Sequence, residues 1–378
     1  MSPRGFDFER VATDGAARLG RLQTAHGAVE TPAFMTVATY GTVRGVAPRD
    51  LRELGAQILL ANTYHLHERP GEAVIEQLGG LHGFTGWTGP WLTDSGGYQV
   101  TSLADRMRLD ESGIVFQSPV DGQRRQLTPE SAIAVQEALG PDIAMVLDEC
   151  QPIEAGDDSA EARRRIEQTS ERTARWAERC ARARKRDDQA VFGIVQGGRY
   201  PDLRQRSAAA TAAIGFDGYA HGGLGLGEER TQRSELVALS NECLPGHAPR
   251  YLMGLGRPED LLDGVACGVD LFDCVVPTRN ARHGNLFTSE GVLRIKHARF
   301  RDDPEPIDPR CDCPACTHHS RAYLRHLIQT GESLGPRLAS LHNVRFYLRL
   351  LEEARGAIAE GRFAAFRSEW DEVVRRRV

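Results

Sequence analysis

The chain is 378 residues long, with 40% hydrophobic and 26% charged residues, a balance that excludes a disordered or fibrous protein. Its length exceeds the ~250–300 residues that one core usually supports. Forty-seven Lys+Arg against 52 Asp+Glu give a net charge of −5, which excludes a strongly basic nucleic-acid coat but not a local basic patch.

Lys185 and Lys296 are the only lysines. Arginine, whose forked donors suit phosphate, carries almost all the positive charge. The opening segment MSPRGFDFERVATDG lacks an apolar signal core, and no run of ~18 apolar residues occurs. A soluble cytoplasmic protein without membrane contact is expected.

In chain order, the first ~40 residues (including RLGRLQTAHGAVETPAFM) alternate like a hairpin and should cap one end of the fold. Short apolar runs then recur, each ending in a polar or Gly-rich turn. They are AQILLANTYH (56–65), PDIAMVLDEC (141–150), AVFGIVQGG (190–198), GYAHGGLGLG (218–227), RYLMGLG (250–256) and VDLFDCVVPTR (269–279). Apolar runs without alternation suit strands of a parallel sheet buried on both faces.

Helical patterns lie between them. Residues 158–184 space Ile166, Thr169, Thr173, Trp176, Ala177 and Cys180 along one face. Asp202–Ile214 and Arg257–Cys267 follow, the latter opened by Pro258-Glu259-Asp260.

Strand and helix alternating over ~250 residues predict an α/β fold, either a (β/α)8 barrel or a doubly wound sheet. Polar residues gather at the C-terminal ends of the strands: Asn62, Asp148, Gln196, Gly222-Gly223, Met253-Gly254 and Asp273. A barrel brings all of them to one rim and one pocket, which favours the barrel. The expected organisation is a catalytic barrel with an N-terminal β cap (1–300), a Pro- and Cys-rich subdomain (301–345), and a C-terminal helix packed on the barrel (346–378).

Eight cysteines divide into two groups. Cys150, Cys180, Cys243, Cys267 and Cys274 are scattered and read as reduced core residues. Cys311-x-Cys313-x-x-Cys316 is a cluster that points to metal rather than disulfide. His342, His318 and His319 compete for a fourth ligand position. His342 is favoured because the other two follow Cys316 too closely to fold back. Cys3His with no open position predicts one structural zinc.

Asp94 in LTDSGGYQ and Asp273 in LFDCVVPTR are two carboxylates placed for one rim. Such a pair permits retaining glycosidic transfer, one attacking the anomeric carbon and the other moving protons. Asp148 and Gln196 can read the edge of a purine in a flipped-base pocket, and Tyr98 or Met253 can sandwich its ring. Gly222-Gly223 offers backbone amides to a ligand. Arg257, Arg279 and Arg282 can hold phosphates around a reactive nucleotide. The basic stretches Arg163–Arg165 and ARARKR (181–186) read as solvated faces.

Taken in order, TPAFM (31–35), NTYHL (62–66), RPG (69–71), LTDSGGYQV, DEC, the Gln-Gly-Gly turn, GGLGLGE, YLMGLG, FDCVVPTR and the Cys cluster resemble the bacterial tRNA-guanine transglycosylase family over nearly the whole chain. The resemblance implies an irregular (β/α)8 barrel with a zinc subdomain, usually a homodimer. It implies exchange of guanine at the wobble position of tRNAs with a GUN anticodon (Asp, Asn, His, Tyr) for preQ1 (7-aminomethyl-7-deazaguanine), toward queuosine.

By the same resemblance, Asp273 matches the nucleophile on the ribose C1′ and Asp94 the general acid/base. Asp148, Gln196 and Gly223 match readers of the guanine edge, with Leu224 and Glu228 serving the aminomethyl group. Tyr98 and Met253 match the stacking pair. Arg257, Arg279 and Arg282 match tRNA contacts, and Cys311, Cys313, Cys316 and His342 the zinc ligands. His221 stands where the family more often has a small apolar residue, and Leu226 is bulkier than the usual Val. Eukaryotic relatives have Gly at the Leu226 position and lack a counterpart of Cys150, so both residues favour the small bacterial base. The rival expectations are a non-catalytic tRNA-binding partner subunit and a metal-dependent hydrolase using the Cys cluster.

Overall fold

The structure, a computed structural model, describes residues 3–98, 107–151, 157 and 159–376. The last two residues of LTDSGGYQV therefore lie outside the described residues. At the centre are eight parallel strands: β1 (Ala33–Val37), β2 (Leu59–Ala61), β3 (Trp91–Thr93), β4 (Ile143–Met145), β5 (Ala190–Val195), β6 (Gly218–His221), β7 (Arg250–Leu252) and β8 (Leu271–Cys274). Each pairs with the next, and β8 pairs with β1 over Leu271–Cys274 and Ala33–Thr36, so the sheet closes into a barrel.

The apolar runs become strands because both faces are covered. Every residue of β5 and β6 is buried, with side chains filling the barrel on one face and helices packed on the other. At Gly193 on β5, an added Cβ would lie 2.5 Å from Phe216 and Thr211. That strand is glycine there because its helix approaches too closely for a side chain.

The expected helices form at Ala160–Ala183, Pro201–Ile214 and Pro258–Ala266. The first buries Ile166, Thr169, Thr173, Trp176, Ala177 and Cys180.

The N-terminal segment forms an antiparallel sheet of Asp7–Asp14, Ala17–Thr24 and Gly27–Thr31. It closes the N-terminal end of the barrel. The buried Arg18 pairs with Asp270, immediately before β8, at 3.2 Å, and donates to the Ala248 carbonyl at 3.0 Å. The His26 ring lies 2.9 Å from Asp142, immediately before β4. The opposite, C-terminal rim stays open for a site.

Other features were not read from the sequence. A second antiparallel sheet (Met107–Asp110, Gly113–Gln117, Arg124–Leu127) follows β3. In addition, the helix Leu334–Ala359 runs unbroken through residue 345, where a boundary between subdomain and C-terminal helix was expected. His342 on this helix faces the cysteine cluster, and one turn later Tyr347 packs on Phe34 of β1 with ring centroids 5.0 Å apart. One helix therefore reaches both the cysteine cluster and the barrel, and a further helix, Phe363–Val374, follows it.

Candidate active site

A cavity of about 310 Å³ opens at the C-terminal rim, lined by Asp94, Asp148 and Asp273 together with Tyr98, Met253 and the turn from Gly222 to Leu226. It sits at the lower end of the range for small-molecule sites (~300–1,000 Å³). Three carboxylates converging on one cleft is costly unless each is held by donors or kept protonated.

Asp94 follows β3 directly. Its Oδ1 accepts from the Thr63 N–H at 2.9 Å and the Gly96 N–H at 3.2 Å, and its Oδ2 accepts from Asn62 Nδ2 at 2.6 Å. Asn62 and Thr63 come from the end of β2, so adjacent strand ends fix this side chain. Burial, reinforced by Asp273 and Asp148, nevertheless pushes its pKa up to about 7.

Asp273 lies near the end of β8. Among the described residues, both hydrogen bonds to its side chain reach the same oxygen: Oδ1 accepts from the Tyr251 hydroxyl at 2.6 Å and from the Gly254 N–H at 2.7 Å. Gly254 has φ of +72°, a conformation that glycine adopts without strain. Burial raises the Asp273 pKa, and these two donors oppose the rise.

The third carboxylate is held differently. Asp148 Oδ2 accepts from Gln196 Nε2 at 2.7 Å, and burial pushes its pKa up to about 6 against that bond. Gln196 lies beneath Asp148, outside the cavity lining, and its N–H donates to Ser207 Oγ at 2.9 Å. Gly222 and Gly223 close over the same amide: a Cβ at either would stand 2.6 or 2.3 Å from Gln196 side-chain atoms. A side chain at either position would have to displace that amide from Asp148.

Leu224 and Leu226 line the cavity, as does Cys150, which the sequence reading grouped with the core cysteines. Glu228 stands behind the turn, accepting from the Gly225 N–H at 2.5 Å and the Leu226 N–H at 3.1 Å. Arg233 pairs with it at 2.7 Å.

Arg257 and Arg279 line a separate cavity of about 290 Å³. The Arg282 pKa is lowered first by burial and then by Arg44 and Arg279. That mutual repulsion marks a cluster of cations ready for an anion. Arg44 and Tyr251 were not singled out in the sequence. A loop arginine carries no local signal, and a tyrosine in an apolar run reads as core unless one asks where its hydroxyl is satisfied.

Cys311, Cys313, Cys316 and His342 are buried, with their ligand atoms all within 4.8 Å of one another. His342 Nε2 donates to the Phe287 carbonyl at 2.7 Å. In the neutral ring the lone pair then rests on Nδ1, which lies 3.3 Å from Cys316 Sγ and 3.8 Å from Cys313 Sγ. Three thiols, an oriented imidazole and its carbonyl partner make a donor set suited to a tetrahedral metal ion. His318 and His319 are not in it; His319 stacks on Tyr323.

A family model described as queuine tRNA-ribosyltransferase matches residues 13–376. The chain is 53% identical over 365 residues to the queuine tRNA-ribosyltransferase of Thermus thermophilus, covering 97% of this chain and 93% of that protein. It is 52% identical over 363 residues to the enzyme of that name from Thioalkalivibrio sulfidiphilus, covering 96% of each. With that of Marinobacter nauticus it shares 51% over 363 residues, again covering 96% of each.

Proposed function

The chain belongs to the queuine tRNA-ribosyltransferase family, and from that membership we propose how it works as a pentosyltransferase, a tRNA-guanine transglycosylase. It exchanges guanine at wobble position 34 of GUN-anticodon tRNAs for preQ1, a step toward queuosine. The observation that carries this reading is the pairing of Asp94 and Asp273 on one cavity, one protonatable near neutrality and the other with a single oxygen pinned.

The anticodon nucleotide enters the cavity flipped out of its loop, where single-stranded bases cost least to extrude. Asp273, held through Oδ1, attacks C1′ with Oδ2. The C1′–N9 bond breaks, its electron pair leaves with guanine, and Asp94 supplies a proton to the departing base. The incoming base then gives its N9 proton to Asp94 and attacks C1′, and Asp273 departs as carboxylate. Two inversions retain configuration, and the ester to Asp273 conserves the glycosidic bond energy, so no nucleotide triphosphate is needed.

Asp148, backed by Gln196, accepts from the N–H groups of the base edge, and the Gly223 N–H donates to its carbonyl. The Leu224 backbone and Glu228 serve the aminomethyl group, Tyr98 and Met253 cover the ring faces, and Leu226 keeps the pocket small. Arg257, Arg279 and Arg282 hold the flanking phosphates. Cys311, Cys313, Cys316 and His342 hold one zinc ion, which would join the 301–345 segment to the barrel through the helix Leu334–Ala359. The reading includes a homodimer acting in the cytoplasm, where charged and uncharged tRNAs are available.

Denaturing gels of enzyme mixed with tRNA and base test it. Wild type should yield a tRNA–protein adduct and Asp273→Ala none; an adduct surviving in Asp273→Ala would remove Asp273 from the mechanism. Incorporation assays with labelled guanine and preQ1 test the substrate.

A further inference from the structure

Arg204 is fully buried, on the helix Pro201–Ile214 behind the base cavity. Among the described residues no carboxylate hydrogen-bonds to it, and Glu228 acts on it only through its charge, from beyond ion-pair distance. Its donors go to neutral acceptors: Nη1 to the Gly222 carbonyl at 2.7 Å, Nε to Ser240 Oγ at 3.4 Å, and Nη2 to His221 Nδ1 at 3.4 Å. A buried guanidinium is expensive without a counter-ion in contact, so an arrangement that aims its shortest bond at one backbone carbonyl calls for a reason.

His221 is set for the same purpose. Asn241 Nδ2 donates to the Cys267 carbonyl at 2.8 Å, which orients the Asn241 amide. Its Oδ1 then accepts from His221 Nε2 at 2.9 Å. The Nε2 atom carries the hydrogen, so Nδ1 presents a lone pair to Arg204. Burial, followed by the Arg204 charge, pushes the His221 pKa down to about 3, and the ring stays neutral.

The Gly222 carbonyl and the Gly223 N–H are two ends of one planar trans peptide, so they point in opposite directions. With the carbonyl gripped from behind by Arg204, the N–H is turned to the cavity side, where it faces the Cys150 thiol. A cation on a peptide oxygen also draws electron density from the nitrogen and strengthens its N–H as a donor.

We propose that Arg204, held in place by His221 and Ser240, fixes and polarises the Gly222–Gly223 peptide, so that the Gly223 N–H selects bases carrying a carbonyl at the six-position. Arg204 and His221 are then positioning residues for base recognition. The inference rests on the functional reading above, in which Gly223 meets the base.

Calorimetric titration of the free enzyme with guanine and with 6-thioguanine tests it. The two bases share their N–H donors, but sulfur is the weaker acceptor. Arg204→Met should weaken guanine binding about 10-fold, as expected for a lost charge-assisted hydrogen bond, and 6-thioguanine binding by less than about 3-fold. Preference for oxygen then collapses. Arg204→Lys should recover part of it, and His221→Val should lose about 3-fold.

A parallel loss for both bases would make Arg204 merely structural and overturn the proposal. If Arg204→Met does not fold, Arg204→Lys and His221→Val decide, an unchanged preference in both overturning it. In tRNA exchange assays, Arg204→Met should raise KM for guanine about 10-fold while kcat stays within about 3-fold. Wild type that binds guanine but exchanges none would defeat the functional reading and leave the relay standing. Wild type that exchanges normally, with variants of unchanged preference, would defeat the relay alone. Wild type that binds neither base would defeat both.

Discussion

Tyr251, on β7, donates its hydroxyl to Oδ1 of Asp273, on β8, at 2.6 Å. The neighbouring strands are in register at Leu252 and Phe272, so the bond is fixed by the barrel rather than by a loop. Burial and the Asp273 charge hold the Tyr251 pKa well above its ordinary range, which keeps the phenol a donor at any working pH. In the proposed reaction this bond orients the attacking oxygen and stabilises the carboxylate as it leaves. Tyr251→Phe should lower kcat by about 10- to 100-fold and leave KM for tRNA within about 3-fold. Single-turnover adduct formation measured by rapid quench checks it; an unchanged rate would make the hydroxyl a bystander.

Asp148 sets a pH limit on base affinity. It can accept from the base edge only as a carboxylate, and burial places its pKa at about 6. As pH falls below 6 the acceptor is protonated, so KM for guanine should rise by up to tenfold per unit. Above pH 7 it should be flat. Asp148→Asn should bind guanine weakly and lose the acid limb of this profile. A profile in Asp148→Asn matching that of wild type would assign the limb to another group.

The barrel was legible because β2 and β4–β8 are apolar runs that end in polar residues. β1 was absorbed into the hairpin reading because AFMTV directly follows alternating segments. β3 is only WLT, too short to carry a period. The sheet of MRLD, GIVFQ and RRQL was missed because its outer strands are half-exposed and charged, so no apolar pattern marks them. Asp94, Asp148 and Asp273 were legible as polar interruptions at strand ends. Arg204 was not: an arginine in an amphipathic helix reads as surface, and only the tertiary approach of β6 to Pro201–Ile214 buries it.

Asp94 should leave a signature in stability. Its folded pKa of about 7 exceeds the ordinary 3.8, so the folded protein keeps a proton that the unfolded chain releases. The stabilisation this confers is fully present below about pH 4 and is lost as pH rises through 7. Asp94→Asn removes that dependence and adds a pH-independent offset from the altered contact with Asn62. The stability of Asp94→Asn minus that of wild type should therefore grow between pH 4.5 and 7.5 and level off above 8. Its span is on the order of 4 kcal/mol at most. Denaturant melts across this range check it, and a difference that shrinks with rising pH would reverse the assigned shift.

The cysteine cluster separates a stabilising metal from a catalytic one. Four protein ligands leave no open position for water, and the ring of His342 is already anchored through Nε2 to Phe287. Metal analysis should return one zinc per chain. Cys316→Ser should lose it and lower Tm by about 5 °C or more, since the segment 311–316 is too short to bury a core of its own. At 25 °C the folded fraction of Cys316→Ser should retain kcat within about 3-fold, and exchange of zinc for cadmium should shift Tm more than turnover. Abolished turnover in a variant whose melt and circular dichroism match wild type would make the metal a participant in the reaction. The hydrolase reading requires that outcome, and closed ligation by Cys311, Cys313, Cys316 and His342 argues against it.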